Sequence, residues 1–140
     1  MTATIIYLPI RLELFIGGYT GDSFSLRWEG ERLIYEAQRY GYQNGEACSI
    51  RPSRQQWQGF WRSVERAGMW TWAERYEPQD TVMDGTSWSL ELDYIGRSVQ
   101  SGGENAYPGT LPEHSAAAYP PEFRRYLRAV SRLAGKRPFS

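Results

Sequence analysis

The stretch TSWSLELDYIGRSVQS, residues 86–101, decides the fold. Within it Trp88, Leu90, Leu92 and Tyr94 alternate with Ser89, Glu91 and Asp93. A strand sends successive side chains to opposite faces, so this spacing reads as a strand with one buried and one wet face. Gly96 then turns the chain into Arg97–Ser101, and the two segments make an antiparallel hairpin.

The same period recurs upstream. Phe24, Leu26 and Trp28 alternate with Ser25 and Arg27, and Glu29-Gly30-Glu31 leads into Arg32–Tyr40, a second antiparallel pair. From Ile6 to Ile16 the even positions Ile6, Leu8, Ile10, Leu12, Leu14 and Ile16 are all apolar, with Arg11 and Glu13 between them. This reads as a strand over 6–16. Pro9 has no N–H for a ladder, which places that strand at a sheet edge or bends it there. Gly41–Ala47 reads as a polar loop.

Two segments carry helical spacing instead. Ser53 is a good N-cap, and Gln56 three residues later completes a capping box. Trp57, Phe60, Trp61 and Val64 follow at i, i+3, i+4 and i+7, and Gly68 supplies the left-handed stop. Near the end, Pro121 suits the first turn of a helix whose apolar stripe is Phe123, Tyr126, Leu127, Val130 and Leu133, closed by Gly135. The order β-β-β-α-β-β-α predicts an α+β fold: one antiparallel sheet with both helices on one face, as a single domain over residues 1–140. A chain of 140 residues buries about two-thirds of its unfolded surface, enough for one sizeable core. With six Trp and ten Tyr, that core or a binding surface must be aromatic.

Composition removes several chemistries. Cys48 is the one cysteine, so no internal disulfide forms and no CxxC knuckle exists. His114 is the one histidine and lies in a Pro-containing loop, where a base would lack the rigid support catalysis requires. With one His and one Cys, neither a zinc-type metal site nor a nucleophile–base pair is expected, and no cofactor motif such as GxGxxG or Walker A is present. The apolar start is broken by Pro9, Arg11 and Glu13, which argues against a signal peptide or membrane span and for a cytoplasmic protein. Fifteen of the sixteen cations are Arg, in keeping with a GC-rich bacterial or phage coding sequence.

Charge is divided unevenly. Lys plus Arg against Asp plus Glu runs four to six in residues 1–50, five to two in 51–76, one to seven in 77–113 and six to one in 114–140. The helices are basic and the strands acidic, which predicts a basic helical side and an acidic sheet side. Arg125, Arg128, Arg132 and Lys136 fall on one stripe of the last helix, with Arg124 beside it. Such a run is ordinarily a solvated face complementing the helix dipole. Arg124, Arg125, Arg128 and Arg132 are nevertheless the candidate residues for binding an anionic partner.

The order of motifs in the C-terminal half is itself distinctive. Trp70-Thr71-Trp72, then Asp84-Gly85-Thr86-Ser87-Trp88, then Ser101 through Asn105, Tyr107 and Pro108 ahead of a terminal helix, resembles a loose group of small uncharacterised bacterial α+β proteins. That resemblance implies a fold and no activity. Read residue by residue, Trp70, Trp72, Asp84, Gly85, Trp88, Asn105 and Tyr107 are structural: Asp-Gly suits a turn before a strand, Asn105 a loop held through its own backbone, and Tyr107 a plug at the core edge.

Three functional expectations follow. The first is a non-enzymatic protein-binding module, of an inhibitor or immunity kind, since aromatic and Arg residues make interface anchors and divided charge steers a partner. The alternative is a nucleic-acid binder that sets the last helix's arginines on phosphates and exposed aromatics on bases. The third is a carboxylate hydrolase using Asp84, Glu91 or Asp93, the latter two about 7 Å apart on one strand face. Opposite-charge faces would also permit a homo-oligomer, and no membrane partner is expected.

Overall fold

In a computed structural model describing residues 6–18, 21–39, 45–78, 85–109 and 119–140, the chain forms six strands and two α-helices. The strands are β1 (Arg11–Gly18), β2 (Ser23–Trp28), β3 (Leu33–Gln38), β4 (Glu46–Ile50), β5 (Thr86–Tyr94) and β6 (Arg97–Glu104). They make one antiparallel sheet in the order β4-β3-β2-β1-β5-β6. Helices α1 (Arg54–Arg66) and α2 (Pro121–Leu133) cover one face of it, so the fold is α+β as the periodicities predict.

Register explains the one-sided core. Leu14 sits opposite both Leu26 and Leu90, and Leu12 opposite Leu92, so the apolar residues of three adjacent strands form one sheet face. The helices land on that face: Trp57 of α1 meets Trp28 of β2 edge-on at 5.4 Å, and Phe123 of α2 meets Trp88 of β5 at 4.9 Å. The capping box forms at the start of α1, with Ser53 Oγ accepting from Gln56 N at 3.1 Å and Gln56 Oε1 accepting from Ser53 N at 2.8 Å. Trp57, Phe60, Trp61 and Val64 are its buried residues, and Gly68, with φ of 68°, turns the chain out of the helix.

Two sequence expectations are corrected. The first strand does not span residues 6–16, and it is central, between β2 and β5. Pro9 stays outside the ladder, and pairing begins where every residue has an N–H to give. Ile10 N reaches Asp93 O at 2.8 Å, and β1 follows. The phase reverses on the way: Leu12, Leu14 and Ile16 are buried, whereas Ile6, Leu8 and Ile10 face outward. Secondly, the region read as a loop over 41–47 gives its last residues to β4, which pairs with β3. That edge strand buries none of its residues fully, so it carries no apolar alternation to read.

Tyrosine burial makes the fold sensitive to alkali. Burial raises the Tyr126 phenol far above its ordinary range and pushes Tyr35, Tyr94 and Tyr107 up as well. Below about pH 10 these phenols are neutral folded or unfolded and contribute no pH dependence; above it the unfolded chain ionises first and stability falls. Urea unfolding measured from pH 8 to 11.5 should show that loss beginning near pH 10. The Tyr126 hydroxyl is buried without a hydrogen-bond partner among the described residues. Tyr126→Phe should therefore leave neutral-pH stability unchanged or raise it by about 1 kcal/mol, and weaken the alkaline decline.

Candidate partner-binding surface

The sequence motifs converge on Trp88. Its Nε1 donates to Ala106 O at 2.8 Å, and Trp72, Tyr76 and Phe123 pack around its ring. Trp72 Nε1 donates to Ala67 O, and Tyr107 lies 4.8 Å from Phe123. Asn105 holds a left-handed conformation, with φ of 51°. Its Oδ1 accepts from Thr86 N at 2.8 Å while its own N–H donates to Thr86 O at 2.9 Å. A Cβ at Gly85 would fall 1.8 Å from Asn105 Nδ2, so only glycine fits beside that side chain. Asp84 and His114 lie outside the described residues. Trp72, Trp88 and Tyr107 thus pack the β5–β6 hairpin against Phe123 of α2, while Gly85 and Asn105 close the base of the hairpin. Trp70 belongs elsewhere, at the end groove described below.

The two strand carboxylates lie on the open sheet face, away from the helices. Arg11 Nη2 is 2.6 Å from Glu91 Oε2, and Gln100 donates to the other oxygen at 3.3 Å. A general acid needs a carboxyl free to hold and release a proton, and Glu91 is engaged on both oxygens. The face forms a groove of about 780 Å³ whose floor includes Phe15, Ser25, Ser89 and Gly102. Among the described residues no three His, Cys, Asp or Glu side chains cluster to hold a metal ion, and no helix is long and apolar enough to cross a membrane.

Charge is arranged differently from what the sequence implies. The sheet is not an acidic face: its arginines are interleaved with the acids and paired. Arg11 bridges Glu13 and Glu91, Arg27 bridges Glu29 and Glu36, Arg32 pairs with Glu29 and Arg39 with Asp22. Glu36 holds the Arg27 guanidinium above its usual pKa. By contrast, the exposed helical arginines Arg54, Arg62, Arg66, Arg125, Arg128 and Arg132 form no ion pair among the described residues. The one acid of α1, Glu65, pairs with Arg97 across the hairpin end.

The four arginines singled out on the last helix are not equivalent. Arg128 and Arg132 are exposed. Arg125 donates from Nη1 to Arg66 O at 3.3 Å, which sets a cation at the C-terminal end of α1 and complements its dipole. Arg124 is half-buried, with its Nε out of solvent and without a hydrogen-bond partner among the described residues. The outward-facing basic set is therefore Arg128 and Arg132 joined by Arg54, Arg62 and Arg66 of α1, which the tally for the last helix alone does not single out. Between the helices runs a shallow groove of about 300 Å³, lined by Gln56, Gly59, Ser63, Ala129 and Arg132.

At one end of the sheet the aromatic layer reaches the surface. Trp61 stacks on Tyr94 at 3.8 Å, and Trp70 lies beside Trp61 with Arg97 over its ring at 5.0 Å. A groove of about 630 Å³ opens there, with Ile6 and Ile95 on its walls and Gln58 and Arg62 of α1 along its rim. Ile95 has φ of 46° in the β5–β6 turn. A β-branched residue in that region costs about 1–2 kcal/mol, and Asn or Gly is the ordinary occupant of such a turn.

Because Asn105 secures the loop after β6, Asn105→Ala should cost about 1–3 kcal/mol in urea unfolding, by orphaning the Thr86 N–H and placing alanine at positive φ. Gly85→Ala should cost a similar amount, and the double variant less than the sum, since both act on one contact.

No protein-family model matches the chain, and no curated protein matches it.

Proposed function

We propose that this chain is a non-enzymatic protein-binding module of the bacterial cytoplasm, an inhibitor- or immunity-type partner that presents its helical layer to an acidic protein surface. One observation carries the reading: six exposed helical arginines lack ion pairs among the described residues, while Glu65, the one acid of α1, is taken by Arg97 and the sheet-side acids Glu91, Glu36 and Asp22 are paired with sheet-side arginines. Exposed pairs contribute little to stability, so leaving these cations free costs the fold almost nothing. A field of one sign over one face accelerates and orients encounter with a complementary surface. On this reading the motif residues of the C-terminal half are a folding signature, since Trp72, Trp88 and Tyr107 pack on Phe123 of α2 and Gly85 and Asn105 close the base of the hairpin.

Phosphates would also suit arginines. What favours a protein is the position of the rings: Trp57, Trp61 and Trp88 are buried, and Trp28, Trp70 and Trp72 are half-buried against the core, so no described Trp is freely exposed for unpaired bases to stack on.

The test is a triple variant, Arg62→Glu with Arg128→Glu and Arg132→Glu. Its unfolding midpoint should stay close to the wild type, because surface substitutions away from packed features lie within about 0.5 kcal/mol. Affinity purification from the native host should recover with the wild type an acidic protein whose retention falls steeply between 50 and 300 mM salt, on the order of the screening expected for exposed charges. The triple variant should lose it. Recovery of nucleic acid in place of protein, or equal retention by the variant, overturns the reading.

A further inference from the structure

The end groove adds a second element to this surface. Of the five exposed large apolar side chains among the described residues, four lie around it or on the segment leading into β1: Ile6, Leu8, Ile10 and Ile95. This is not a frayed end. Trp61 Nε1 donates to Tyr7 O at 2.7 Å, Tyr94 Oη to Ile6 O at 2.9 Å, and Ile10 N to Asp93 O at 2.8 Å, so the segment is pinned with its apolar side chains outward. A cavity of about 630 Å³ is of the size that accepts a bulky side chain and its neighbours.

Ile95 is the informative residue. It is half exposed, at 52%, and left-handed, with φ of 46°. Neither turn chemistry nor core packing accounts for isoleucine there; asparagine would relieve the backbone and suit the solvent. Strain held by an exposed apolar residue beside a groove points to contact with something apolar.

The rim says what kind of molecule. Among the described residues Arg62 borders the groove without an ion pair and Glu65 is engaged by Arg97; Arg54, about two turns back along α1 and outside the groove lining, lies over the Tyr7 ring at 5.8 Å. The free charge is positive. A second copy packed about a two-fold axis here would set these arginines against their equivalents, which disfavours self-association through the groove. Nucleobases would need an open ring face, and Trp61 and Tyr94 cover one another while Arg97 covers Trp70.

We propose that the groove formed by Ile6, Trp61, Trp70, Tyr94 and Ile95 receives one bulky apolar side chain of an acidic polypeptide segment, whose flanking carboxylates meet Arg62 and Arg54. This rests on the reading of the helical layer as an acid-binding surface and assigns its apolar anchor point.

The experiment uses three synthetic nonapeptides: a leucine flanked by Asp and Glu, the same peptide with serine in place of leucine, and a lysine-flanked leucine peptide. Binding is followed by tryptophan fluorescence and amide chemical shifts on the full chain. The acidic leucine peptide should bind about tenfold or more tightly than the serine version, in line with burial of one apolar side chain, and the lysine peptide should not bind. Ile95→Asn should raise the unfolding midpoint by roughly 2–5 °C through relief of the turn, yet lose most of the leucine-over-serine preference. A purely structural Ile95 would not give that opposition. Ile6→Ser should lose the preference too. Equal binding of the leucine and serine peptides, or a preference untouched by Ile95→Asn, overturns the groove while the arginine surface stands. If neither acidic peptide binds wild type, the acid-binding surface falls and the groove with it.

Discussion

The fold depends on covering a sheet that is wider than the helices above it. Six strands span about 24 Å at the usual spacing, whereas two packed helices cover roughly 20 Å. Each helix here has only 13 residues. Rings and tails close the difference. On the β2–β3 side, Phe139 packs on Phe24 and the Tyr35 hydroxyl donates to Pro138 O at 2.6 Å, so the chain's last residues serve as cover. On the β5–β6 side the same task falls to Trp72, Tyr76 and Tyr107 around Trp88 and Phe123. Aromatic side chains suit this because each buries a large area and its polar edge can be met by a nearby carbonyl, as Ala67, Ala106 and Tyr7 do for Trp72, Trp88 and Trp61.

This demand explains where the aromatic richness goes. From composition it could have been core or binding surface; among the described residues nearly all of it is in the core or packed against it. Trp61 and Trp70 bridge both roles, because the stack that seals the β5 side of α1 is also the floor of the end groove. A protein that needs rings at its margins to finish its core brings apolar surface to the rim, and the rim is where an anchor residue can be received.

How much of this was legible in the sequence follows from which signals are local. The α1 stripe and capping box, the β5 alternation and the α2 stripe each lie within one element, and all appear as read. The phase reversal ahead of β1 was not legible, because Ile6 through Ile16 keep an unbroken even period while the chain leaves the ladder at Pro9. β4 was not legible because an edge strand in solvent needs no apolar face. The charge division was legible as composition only: that β1 would bring Arg11 diagonally within reach of Glu91 on β5, and β2 Arg27 within reach of Glu36 on β3, depends on strand order that no single segment encodes.

Helix α1 shows how the two halves of the proposed surface come to be neighbours. With Trp57, Trp61 and Val64 turned into the core, Gln58, Arg62 and Glu65 fall on the flank toward the hairpin, and Gly59 and Ser63 on the flank toward α2. The first flank holds the groove and the second holds the shallow cleft beside Arg132. Glu65 is the one acid available to α1, and the hairpin's Arg97 takes it, leaving Arg62 as the free charge at the groove. Had Glu65 faced α2 instead, it would have met the basic stripe of that helix and closed the positive field. The Trp61–Tyr94 stack packs the hairpin against α1, and the exposed Arg97–Glu65 pair beside it takes up the helix's one acid, so that among the described residues Arg62 stands without an ion pair in the same groove as Ile95.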